Sequence, residues 1–246
     1  AMDCGHMLGL IAGADADDSV ALHAPVPDYV CGDNTQLSGL RIGFDPEYCA
    51  GLDADMQKAV QSAFDVLQSL GADMRHVRFP DVTDMVADWG TACAAETAVA
   101  HEPWHPKNKH LYGPGLGGLI EFGRSISAVE MQKIWLRRRA FTGAVRGFFQ
   151  NCDLLLIPAQ PMASPTTQEM SVIGTGPSEL ARLIKFTAPF DMSGSPTITL
   201  PAGFTVKNTP VAIQLVSAHL DEATLIRAGS AFQRVTDWHS RVPPRL

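Results

Sequence analysis

Asp153-Leu154-Leu155-Leu156-Ile157-Pro158 sets four large aliphatic side chains in unbroken succession between an acid and a proline. A strand with one wet face alternates apolar and polar residues, so a run without a polar member needs apolar cover on both faces. The run is also too short for a helix and is stopped by Pro158. It predicts a strand buried on both sides, and hence a sheet with other layers packed against it. The chain has 246 residues, 46% of them hydrophobic, which is enough for one large domain with a substantial core.

The flanking sequence supplies the other layers. Leu40 to Phe44 reads as a short strand. Asp53 to Leu70 follows, with Met56, Val60, Phe64, Val66, Leu67 and Leu70 near helical spacing, and Gly71 stands where a helix C-cap needs it. Ala72 to Phe79 alternates as a second strand, and the whole run of about 40 residues has the length of a βαβ unit. Further helices are predicted over Asp81 to Glu102, Ser127 to Phe149, Ser178 to Lys185 and Glu222 to Val235. Ser127 and Glu130 make a capping box ahead of Met131, Ile134, Trp135 and Phe141. Strands are predicted over Thr197 to Leu200 and Val211 to Val216. The opening AMDCGHMLGLIAG reads as an apolar helix stopped near Gly13.

Charge narrows the function classes. The net charge is −7, and the only basic cluster, Arg137-Arg138-Arg139, lies inside an amphipathic pattern. Nucleic acid and anionic membrane surfaces are therefore poor partners, and the arginines read as a solvated helix face with one turned inward to an acid. Five cysteines without C-x-x-C spacing point to free thiols in a reducing cytosol. No apolar run approaches 18 residues, and the opening lacks the basic flank of a signal peptide.

Three motifs are decoys. His101-Glu102-Pro103-Trp104-His105 matches the zinc-protease pattern H-E-x-x-H, which requires both histidines on one face of an unbroken helix. Pro103 and Pro106 forbid that helix, so no metal is expected. Gly113-Pro114-Gly115-Leu116-Gly117-Gly118 fits G-x-G-x-x-G, but no hydrophobic strand precedes it and basic residues stand where the acid should be. It reads as a flexible glycine loop. Asp15, Asp17 and Asp18 lack the glycine and glutamate of a calcium loop and read as a solvated turn.

Read in order, DLLLIPAQPMASP, FTAPFDMSGSPTITLPAGF, TPVAIQLVSAHLDEATLIRAGSAFQ and TDWHSRVPP resemble the C-terminal half of the amidase signature family. GLRIGFD, LIEFGRSISAVEM and LIAGADADDS extend the resemblance over essentially all 246 residues. It implies an α/β fold, a mixed β-sheet flanked by helices, with residues 1–246 as the C-terminal portion of a single domain. It implies hydrolysis of carboxylic amides of small molecules by a Ser–cis-Ser–Lys triad, with a Gly/Ser-rich oxyanion segment and without metal or organic cofactor. That triad and its Gly-Gly-Ser-Ser-Gly-Gly signature are not found here, since Gly117-Gly118 is not followed by serine.

What carries over is the pocket. The resemblance places Phe186, Thr187, Asp191, Met192, Ser193 and Gly194 beside the substrate. Many relatives carry Asn where Asp191 stands, so an acid there either contacts an amino or amide group or bonds the following turn. The loop from Ala159 to Gly176 is a candidate selectivity loop, Trp104 and Tyr112 a candidate lid, and Trp238 and His239 read as structural. Two readings follow. One is the substrate-pocket half of an amidase, catalytically incomplete without an N-terminal segment; the other is a non-catalytic binding or scaffolding protein derived from such a half. On the first, Met7, Leu8, Leu10 and Ile11 form an uncovered apolar face and the chain is expected to self-associate.

Overall fold

The computed structural model describes residues 1–30, 36–172 and 176–242. The all-apolar run is a strand as expected, with every residue from Leu154 to Pro158 buried. In chain order the regular elements begin with α1 (Met2–Ile11), β1 (Arg41–Phe44), α2 (Ala54–Ser69), β2 (Asp73–His76) and α3 (Thr83–His101). Then come α4 (His105–Asn108), α5 (Pro114–Ser125), α6 (Ala128–Phe148), β3 (Leu154–Pro158), α7 (Thr167–Val172) and α8 (Pro177–Ile184). The last are α9 (Ala188–Ser193), β4 (Thr197–Phe204), β5 (Pro210–Ser217) and α10 (Glu222–Arg234).

The five strands form one mixed sheet in the order β2-β1-β3-β5-β4. β1 runs parallel to β2 and β3, with Ile42 opposite Met74 and Leu154. β5 runs antiparallel to β3 and β4, with Leu215 between Leu156 and Ile198. β3 thus lies at the centre, which is why it tolerates no polar side chain. Along β4, Ile198 and Leu200 face α10, where a Cβ on Gly229 would meet their side chains. Thr199 points to the other face and bonds Gln214 of β5, whose amide donates to the Phe186 carbonyl at 3.1 Å. Helical layers therefore cover both faces, as the apolar run requires.

Local chemistry fixes the helix ends. Asp53 caps α2, accepting from Met56 N at 2.8 Å, while its second oxygen accepts from Ala163 N at 2.6 Å. One side chain thus joins the helix start to the loop after β3. Gly71 ends α2 with φ +93°, a conformation other residues adopt only at a cost. Ser127 accepts from Glu130 N at 3.1 Å, but the Glu130 carboxylate turns to Arg137, so only half of the capping box forms. One arginine does turn inward: Arg137 grips buried Asp88 with two bonds of 2.7 Å, tying α6 to α3.

The glycine loop is a correction. Residues Pro114 to Ser125 form α5, with Pro114 in the first turn, where its missing N–H costs nothing. Ile120 is fully buried, and Gly123 lets α5 lie against α3: a Cβ there would stand 1.9 Å from the Ala94 carbonyl oxygen. Tertiary packing outweighs the poor helix propensity of the glycines. The H-E-x-x-H segment breaks as the prolines require. α3 stops at His101, and His105 opens a separate short helix with Pro106 in its first turn. His101 Nδ1 lies 3.0 Å from the Tyr112 hydroxyl, and no group of three or more potential metal ligands occurs among the described residues. No helix among them is long and apolar enough to cross a membrane.

β4 is an edge strand of eight residues, and among the described residues no hydrogen bond reaches the backbone groups of its outer side. Near it lies α1, which packs on α10 and leaves Met7, Leu10 and Ile11 exposed, with Leu8 half-buried.

Candidate active site

The segment that the resemblance marked folds into α9, a single short helix not foreseen from its sequence. Pro189 sits in its first turn and Gly194 ends it in left-handed conformation, φ +74°. The period of the helix then sorts the residues. Phe186, Phe190 and Met192 point inward and are buried. Phe186 packs against the Tyr48 ring at 5.0 Å, and Phe190 against Phe79 at 5.8 Å. Thr187, Asp191 and Gly194, spaced by four and three residues, form the exposed stripe, with Ser193 half-buried beside it.

Several elements hold this stripe in place. Trp89 of α3 donates from Nε1 to Asp191 Oδ2 at 3.0 Å. Arg138 of α6 donates from Nε to the Met192 carbonyl at 2.6 Å and rests over the Trp135 ring at 4.9 Å. The Tyr48 hydroxyl donates to the Lys185 carbonyl at 2.8 Å, and Gln214 holds the Phe186 carbonyl from the sheet. Three side chains thus hold carbonyls in or next to the segment, and Trp89 fixes the Asp191 carboxylate, as a binding surface requires. Asp191 Oδ1 has no hydrogen-bond partner among the described residues, so the carboxylate keeps acceptor capacity on its exposed side. Its partner is an indole from a distant helix, not the following turn. Trp89 and Arg138 carried no sequence signal beyond an apolar helix position and one member of an arginine run.

No activated hydroxyl stands in this surface. Ser193 donates to the Phe190 carbonyl or to Ser195 Oγ, and among the described residues no lysine or histidine bonds its Oγ. Lys185 reaches the Ala50 carbonyl at 3.4 Å and lies over the Tyr48 and Phe186 rings. Burial lowers its pKa, against the opposing pull of Cys49 and Asp45. A nucleophile needs its base within hydrogen-bond reach, so these residues can position a substrate but cannot generate an alkoxide. Elsewhere, Trp104 is exposed and Tyr112 stands edge-on to His101 and His105. Trp238 packs on Phe204. The loop after β3 contributes Met162 to Thr166 to a cleft that also holds Arg182 and Lys207, while residues 173–175 of that stretch lie outside the described residues.

Comparison with known proteins places this architecture. The family model described as Amidase matches residues 1–226, and the chain belongs to that family, the amidase signature enzymes. It is 38% identical over 245 residues to the "Putative amidase AmiD" of Mycobacterium tuberculosis, covering 99% of this chain and 51% of that protein. The chain thus spans about half the length of the curated relatives it matches. Among solved structures, 6-aminohexanoate cyclic dimer hydrolase superposes with a TM-score of 0.82 at 20% identity, over 98% of this chain and 54% of that one. A bacterial aryl acylamidase of the amidase signature family superposes with a TM-score of 0.80 at 21% identity, over 97% and 52%. The mixed sheet with flanking helices is therefore that family's α/β fold.

Proposed function

We propose that this chain is the substrate-pocket half of an amidase-signature hydrolase that cleaves carboxylic amides of small molecules. The catalytic serines and lysine come from polypeptide outside these 246 residues. The observation that carries the reading is the stripe of Thr187, Asp191 and Gly194, rigidly held and exposed, next to no lysine-activated serine among the described residues. Phe186 and Met192 act from behind, as the packing that sets the stripe's position, while Asp191 accepts a hydrogen bond from an amino or amide group of the substrate. The bare outer side of β4 and the exposed Met7, Leu10 and Ile11 give the catalytic half a place to dock. The four described cysteines are free thiols, in keeping with a cytoplasmic enzyme.

A serine-directed fluorophosphonate tests this. The verified 246-residue chain should remain unlabelled and hydrolyse no amide above background, because losing nucleophile and base forfeits on the order of 10⁶ in rate. Co-expression with the N-terminal half of the reading frame should restore labelling on that half. Stoichiometric labelling of the isolated chain would overturn the reading and make Ser193 or another local serine the nucleophile. Failure of the two halves to associate would favour the non-catalytic binding protein.

A further inference from the structure

A concavity adjoins the α9–β4 turn. Thr142, Val145 and Arg146 of α6, Phe149 and Gln150 just after it, Ser193 at the end of α9, Ser195 of the turn, and Ala218 and His219 after β5 enclose about 340 Å³. That volume is at the lower end of the range for small-molecule clefts, about 300–1,000 Å³. In a chain of net charge −7, no carboxylate lines it. The Arg146 guanidinium has no ion pair or hydrogen bond among the described residues, unlike Arg137 and Arg138 on the same helix.

The Thr142 hydroxyl is committed to the Arg138 carbonyl at 2.9 Å, but other polar groups around the cavity have donor capacity to spare. Ser193 directs its hydrogen to Phe190 O or to Ser195 Oγ, 3.0 Å away, and with that arrangement the Ser195 hydrogen is uncommitted. His219 lies against Gly194, near enough that a Cβ there would stand 3.7 Å from its ring. The Gln150 side-chain amide is unbonded among the described residues. Val145, Phe149 and Ala218 supply an apolar floor. We propose that this cavity is a binding site for a small carboxylate with an apolar body: the carboxylate meets Arg146, Ser195 and His219, and the hydrocarbon lies on Val145 and Phe149. The site shares Ser193 with the margin of the candidate substrate surface and needs none of the missing catalytic residues to bind.

Benzoate, with benzyl alcohol as the neutral analogue of similar shape, tests it by chemical-shift perturbation on the 246-residue chain. Benzoate should bind saturably and shift the resonances of Arg146, Ser195 and His219, whereas benzyl alcohol should bind at least tenfold more weakly. Arg146→Ala should weaken benzoate at least tenfold and Arg146→Lys less, since a lysine keeps the charge but not the planar fork. Both variants should keep the wild-type thermal transition, because the Arg146 guanidinium has no hydrogen bond or ion pair among the described residues. No saturable benzoate binding, equal binding of the alcohol, or wild-type affinity in a folded Arg146→Ala would each overturn the proposal.

Discussion

The indole of Trp89 and the carboxylate of Asp191 meet at 3.0 Å, joining α3 to α9 across 102 positions of sequence. The bond leaves one carboxylate oxygen facing outward, so the residue has a structural half and an open half. An asparagine keeps an acceptor for the indole but changes what the open half offers. Asp191→Asn should therefore shift stability by less than about 1 kcal/mol in urea denaturation. In the assembled enzyme it should lower kcat/KM for amine-bearing amides at least tenfold relative to neutral ones. A uniform loss of folding with unchanged preference would show that Asp191 serves the fold alone.

Gly123 should tolerate no side chain. Its Cβ would fall 1.9 Å from a backbone oxygen of α3, and backbone cannot step aside as a side-chain tip can. Gly123→Ala should cost about 3 kcal/mol despite alanine's better helix propensity. Gly117→Ala, in the same helix with only Tyr112 Cβ at 3.9 Å, should be neutral or stabilising. Thermal unfolding of the pair separates packing from propensity.

Acid stability should depend on Asp153. Its carboxylate lies 2.6 Å from Arg41 Nη2 and also accepts from Arg41 N, and these bonds hold its pKa below the usual carboxylate value. A pKa lowered on folding gives stability that is fully present above the unfolded pKa, about 3.9, and is lost as pH falls through the folded value. The contribution should thus be flat above about pH 5 and fade below about pH 4. Asp153→Asn should flatten that acid limb in urea titrations while lowering stability at neutral pH.

Cysteine reactivity should follow burial. Burial, with a smaller push from Asp45, raises the Cys49 thiol to about 12 against a lesser pull from Lys185. At about pH 8 iodoacetamide should modify exposed Cys4 and spare Cys49 until the chain unfolds. Mass spectrometry of the digested protein reads both sites.

Much of the fold was legible because single residues dictate it. The apolar run of β3 fixed a central strand, Asp53 and Gly71 bounded α2, and Pro103 split the false zinc motif. What sequence did not show depends on contacts distant in the chain. α5 was hidden because glycines mark loops unless a neighbouring helix needs their bareness, and Ala94 supplies that need only in three dimensions. In the candidate site, Thr187, Asp191, Ser193 and Gly194 reached a surface, while Phe186 and Met192 went into the core. That sorting follows from a helical period nobody would assign to a six-residue segment containing proline. Trp89 and Arg138 were invisible, since their role is to reach a partner about 100 and 54 residues away.

The bare side of β4 also has a symmetry. A strand edge run antiparallel to its own copy is self-complementary, so two molecules can join about a two-fold axis into one continuous sheet. Such a pairing uses up both long edges at once. The edges left outside are then the two copies of β2, only four residues long and bearing the exposed ion pair of Asp73 and Arg75. Short, charged edges discourage further growth. Association of this chain by itself should accordingly close at the dimer and not run on into fibres, and sedimentation velocity across a concentration series should show one step. Thr197→Lys, a charge brought to the shared edge, should return it to monomer.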